Sequence, residues 1–118
     1  MARTRSDDGG VTWSQRTASA EWSARYTRAV VVGSELLVVG GFNGDGSLEL
    51  DDVWASSDGA SWTQRKAGAD FGLRHNYLAG AVLKWCATLE TVFVVGGARN
   101  GVGSLDDVWY GGNAGATW

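Results

Sequence analysis

Apolar residues fall in short unbroken runs punctuated by Gly, Asp and Ser, a pattern that predicts strands and tight turns. Residues 28–32 and 36–39 read as two strands joined at Gly33-Ser34, and their nearly continuous apolar character predicts burial on both faces. Residues 51–56 and 61–64 form a second hairpin about Asp58-Gly59, a dipeptide that tolerates the positive φ of a two-residue turn. Together they make a four-stranded antiparallel meander. A second copy is expected at 77–83, 91–95, 106–110 and 116–118, and 11–15 reads as an isolated fourth strand of a preceding unit. No segment of ten or more residues combines a helical period with caps, so helix content should be close to nil.

The pattern repeats in register. Asp51-Asp52-Val53-Trp54 recurs as Asp106-Asp107-Val108-Trp109, and each follows a paired glycine, Gly40-Gly41 or Gly96-Gly97, that closes an apolar run. Trp13-Ser14-Gln15-Arg16 matches Trp62-Thr63-Gln64-Arg65, and Ser23-Ala24-Arg25-Tyr26 matches Gly72-Leu73-Arg74-His75 at the same offset. The second copy is longer by seven residues between its arginine and its glycine pair. A tandem unit of roughly 50 residues signals a propeller or solenoid. The units fall at 1–16, the outer strand and turn of a preceding unit; 17–65, a complete unit; and 66–118, a second unit truncated in its last strand.

Composition narrows the class. With 118 residues, 44% of them apolar, the chain has enough apolar content to fold and lacks the signature of disorder. No apolar run approaches the roughly 18 residues needed to span a bilayer, so no membrane is implied. A net charge of -3 and a pI near 4.9 give nucleic-acid binding little electrostatic support. The single cysteine, Cys86, has no internal disulfide partner and reads as a small half-buried apolar residue.

Apolar run, Gly-Gly, polar loop, Asp-Val-Trp and a second Trp eight or nine residues later resemble the kelch repeat, whose units are blades of a β-propeller. A second resemblance overlaps the first. Ser6-Asp7-Asp8-Gly9-Gly10-Val11-Thr12-Trp13 is similar to the Asp-box of sialidase-like propellers, with degenerate versions at 56–62 and 111–118. In those families it is a hairpin turn between the third and fourth strands. Asp8, Gly10 and Trp13 are therefore structural residues, the carboxylate accepting backbone N–H bonds and the Trp covering the hairpin. Gly40, Gly41, Asp52, Trp54, Trp62, Gly96, Gly97, Asp107 and Trp109 are expected to be structural as well, since strands flank the glycines where a phosphate loop needs a helix. The implied fold is all-β: a propeller fragment of about two four-stranded kelch-like blades plus one outer strand.

Meander topology puts turns one-to-two and three-to-four on one rim, and connections 17–24 and 66–73 with the loops 42–47 and 98–104 on the other. The second rim is the expected binding surface, because rigid β scaffolds present variable loops. Its candidate ligand-binding residues are Arg25, Arg28, Asn43, Asp45, Arg74, His75, Tyr77, Arg99 and Asn100; for the arginines, bonds to carboxylates or carbonyls of neighbouring loops are the competing role. Asn43, Asp45, Ser47 and Glu49 alternate oxygen ligands, yet Leu48 and Trp54 stand where an EF-hand needs Gly and Glu, so no metal or other cofactor is implied. No paired acid and base points to catalysis. The resemblance implies a non-catalytic module that binds a protein or glycan partner; the alternative is a piece of a carbohydrate-active propeller enzyme, like galactose oxidase or sialidase, without a complete active site. Propellers close with four to eight blades, so the other partners expected are the remaining blades of a longer parent, or further copies that complete a ring.

Overall fold

The computed structural model describes residues 3–45, 47–74, 92–112 and 115–118. The described strands are β1 (Arg3–Arg5), β2 (Ser14–Thr17), β3 (Tyr26–Val32), β4 (Glu35–Phe42), β5 (Glu49–Ser56), β6 (Thr63–Lys66), β7 (Val92–Arg99) and β8 (Gly103–Gly111). They form three antiparallel sheets: the hairpin β1-β2, the central meander β3-β4-β5-β6, and the pair β7-β8.

Register decides which side chains share a face. Leu37 lies opposite Ala55, Val38 opposite Trp54, and Val39 opposite Val53. Since side chains alternate along a strand, Leu37, Val39, Val53 and Ala55 point one way, where they join Val92 and Val94 of β7, Phe71, Trp109 and Trp118 in the larger core. Val38 and Trp54 point the other way and pack with Trp22 and Trp62. The edge-to-face pair Trp22–Trp62, with centroids 5.6 Å apart, has a counterpart in Phe71–Trp118 at 4.8 Å.

Three expectations need revision. β4 is buried on both faces, but β3 is not: Val32 is buried and Val30 packs on the core, while Val31 is 57% exposed. β3 is the terminal strand of its sheet, and only one of its faces meets another layer. The strand expected to stand alone at 11–15 instead begins at Ser14 and pairs with β1. Its first residues belong to a turn, because Asp8 accepts the N–H groups of Val11 at 3.0 Å and Thr12 at 2.8 Å. The strand expected at 116–118 is reduced to a single bridge between Gly112 and Thr117, as the chain turns tightly through Gly115 N–H to Gly112 O at 3.1 Å. The strand expected at 77–83, and Cys86, lie outside the described residues.

The paired glycines interrupt the ladders. The register shifts between Val39 and Gly41 and again between Val95 and Gly97, where both members of each pair have positive φ. A β-carbon on Gly41, at φ 113°, would stand 2.2 Å from the carbonyl oxygen of Tyr26. Only glycine fits so near a backbone.

Candidate functional site

Each glycine bulge presents a carbonyl to a buried arginine. Arg25 donates Nη1–H to Gly40 O at 3.4 Å and both Nη groups to the carboxylate of Asp52, Nη2 to Oδ2 at 2.9 Å. Its Nε donates to Ser23 O at 3.1 Å, and Trp54 donates its indole N–H to Asp52 Oδ2 at 2.8 Å. The second copy repeats this arrangement. Arg74 donates to Gly96 O at 2.9 Å, to both oxygens of Asp107 at 2.8 Å, and to Phe71 O, while Trp109 donates to Asp107 Oδ2 at 2.7 Å. The guanidinium carbons lie 5.6 Å from the Trp22 ring centroid and 5.7 Å from that of Phe71. Both arginine side chains are almost wholly buried, their guanidinium groups bonded to neighbouring carboxylates and carbonyls.

These bonds set the acidity of the aspartates. Burial raises Asp52, but the hydrogen bonds from Arg25 and Trp54 and the arginine charge outweigh it and leave the carboxyl below its ordinary range. Asp107 is held lower still by Arg74, against burial, with help from Trp109.

Turns on one rim are held by aspartates. Asp8 accepts Thr12 Oγ1–H at 2.6 Å, Thr12 N–H and Ser6 Oγ–H at 2.8 Å, and Val11 N–H; these bonds hold its pKa at about 2. Asp58 accepts the N–H groups of Ala60 at 2.8 Å and Ser61 at 2.9 Å.

The opposite rim carries the other candidate residues. Asn43 closes its loop by accepting Leu48 N–H at 2.9 Å and donating Nδ2–H to Ser47 at 3.0 Å, and exposed Asp45 accepts Ser47 N–H at 2.9 Å. The Asn100 N–H bonds Glu49 Oε1 at 2.7 Å, joining the second post-glycine loop to the start of β5. Arg99 donates Nε–H to Leu73 O at 2.6 Å and is half-buried. Arg28 is exposed on β3, apart from this group. His75 and Tyr77 lie outside the described residues.

A cleft of about 330 Å³ opens on this rim between the connection 18–26 and the post-glycine loop, lined by Ala18, Ser19, Ala20, Trp22, Tyr26 and Gly44, with Arg25 at its wall. Tyr26, 54% exposed, stacks on Phe42 with centroids 5.2 Å apart. Trp22 and Tyr26 were legible only through Arg25, the repeated landmark beside them on a connection placed on this rim. Among the described residues, no three His, Cys, Asp or Glu side chains cluster so as to hold a metal ion.

The family model of the Kelch motif matches residues 23–55. That span contains Ser23, Arg25, Gly40-Gly41, Asp52 and Trp54, all the members of the first arginine network except Trp22. Neither a curated protein nor a solved structure matches the chain.

Proposed function

We propose that this chain, whose residues 23–55 carry a kelch motif, is a non-catalytic interaction module of propeller blades that presents one rim to a protein partner. The observation that carries this reading is a division of labour. The charged groups shared by the two copies, Arg25 with Asp52 and Arg74 with Asp107, bond each other inside the sheets. What differs between copies is the loop rim, where Tyr26, stacked on Phe42, lines an open cleft and Asn43 and Asp45 hold the neighbouring loop. Exposed aromatic surface ringed by polar loops is the composition of a protein-binding patch. The Asp-box-like turns on the opposite rim, at Asp8 and Asp58, are structural pins in this reading.

The test is affinity capture with quantitative mass spectrometry, comparing the chain with Tyr26→Ala on the loop rim and Asp58→Ala on the turn rim. A protein retained by the parent chain and Asp58→Ala but lost with Tyr26→Ala supports the assignment. Retention that follows Asp58, or binding only to glycan arrays, overturns it.

A further inference from the structure

Among the described residues, the Trp118 turn rests on an apolar sheet face, and a turn and a face of the same kind recur elsewhere in the chain, open to solvent. In the internal contact Leu37, Val39, Val53 and Ala55 are 0, 0, 0 and 2% exposed, covered by β7 and by the turn that ends at Trp118. A β-carbon on Gly115 would stand 2.9 Å from Val53 Cγ1 and 3.5 Å from Leu37 Cδ1, so this turn rests on the β4-β5 face. Trp118 braces it by donating its indole N–H to Gly115 O at 2.8 Å.

The repeat identifies the counterparts. Alignment of the two Asp-Asp-Val-Trp strings makes Val108 and Tyr110 the equivalents of Val53 and Ala55. Instead of being covered they are 62% and 69% exposed, and Phe93, 6.4 Å from Tyr110 between centroids, widens the patch. Trp13 is the equivalent of Trp118: its indole N–H goes to Gly10 O at 2.9 Å, again the glycine three residues before it. It too is 62% exposed. Socket and plug are both open in one molecule, so they do not meet within a chain.

We infer that the Trp13 turn of one copy docks on Val108 and Tyr110 of a second copy, head to tail, reproducing the seat of the Trp118 turn on Val53. The occupant is a second copy because its own N-terminal hairpin carries the braced Trp-on-Gly turn that this kind of face already accepts internally. Two different surfaces meet in such a contact, so it propagates into rings or open chains instead of stopping at a symmetric dimer.

Sedimentation velocity over a concentration series tests this on the full chain, with Val108→Asp disabling the socket and Trp13→Ser the plug. The expected result is a parent chain whose mass grows with concentration, two variants that stay monomeric with their β circular dichroism intact, and an equimolar mixture that forms dimers, because each variant keeps one good surface. If Trp13→Ser loses its β signal, hydrogen exchange of the parent chain at associating concentration decides: protection gained at residues 8–13 and 106–110 supports the contact, and protection elsewhere alone defeats it. A parent chain monomeric throughout, association that survives Val108→Asp, or a mixture of folded variants that remains monomeric overturns it.

Discussion

Arg74 and Asp107, thirty-three positions apart in sequence, meet as a two-pronged pair with both N–H···O distances at 2.8 Å. Arg25 and Asp52 do the same in the first copy, each aspartate held from a second side by the Trp two residues on. The pair ties the connection entering a unit to its third strand, while the glycine carbonyl adds the second strand. One side chain thus fastens the entering connection to two strands that the backbone ladder already pairs.

Removing one partner should therefore cost more than a surface ion pair. Asp107→Asn leaves a buried guanidinium without its counter-charge and should destabilise by about 1–3 kcal/mol, since Asp107 itself remains partly solvated. Arg74→Lys keeps the charge but cannot donate the fork, and should fall between the parent and Asp107→Asn. Urea midpoints at unchanged m-value measure this; a loss no larger than that of an exposed pair would show that the network only decorates the fold.

Stability should also fall in acid with a definite sign. Asp8, at about 2, and Asp52 and Asp107, both lowered by their donors, titrate below the unfolded value of about 3.9. A carboxyl depressed in the fold contributes stability that is fully present above its unfolded pKa and lost as pH falls through its folded one. Asp51, raised chiefly by burial and also by the neighbouring charge of Asp52, works oppositely and withdraws its small contribution as pH rises past about 4. Urea stability should therefore decline from about pH 4 downward, and Asp107→Asn should flatten that slope. An unchanged slope in the variant would assign the acid sensitivity elsewhere.

The glycine bulges yield a steric prediction. Gly41→Ala forces a residue with φ 113° to carry a β-carbon 2.2 Å from Tyr26 O, and Gly40→Ala places one 2.9 Å from Leu50 O. Gly41→Ala should cost at least about 1–3 kcal/mol of strain and more than Gly40→Ala. Gly101→Ala is the control, for it shares the positive φ but meets nothing within 4 Å. Thermal midpoints of the three variants give the order, and Gly101→Ala as the worst would contradict the packing.

Strands β4, β5, β7 and β8 were legible because Leu37 to Val39 and Asp51 to Trp54 have repeated partners, and a repeat turns ambiguous apolar runs into a register. β1 was not. Its residues Arg3, Thr4 and Arg5 offer no alternation to read, and the strand exists because the turn bonded to Asp8 brings it beside β2. The arginines were legible only as a choice between a ligand and a neighbouring carboxylate, since Asp52 and Asp107 reach them through tertiary folding. The cleft beside Trp22 and Tyr26 stayed hidden for a similar reason: residues 17–24 carry no period, and their shape comes from packing Trp22 on Val38 and Trp62.

The sharpest contrast between core and loop lies in three valine and aspartate positions. Val38 and Val94 have essentially no solvent exposure and occupy different clusters, Val38 among the tryptophans and Val94 between the units. An aspartate at either site must bury a carboxylate that has no donor, a cost of several kcal/mol against a total stability of about 5–15 kcal/mol for a typical domain. Asp45 lies on an exposed loop, where its carboxylate accepts the N–H of Ser47. Val38→Asp and Val94→Asp should abolish cooperative unfolding and the β circular dichroism signal, whereas Asp45→Ala should leave the urea midpoint nearly unchanged. Equal tolerance at the valines and at Asp45 would mean that these sheets are not packed face to face, and the blade reading would fall with them.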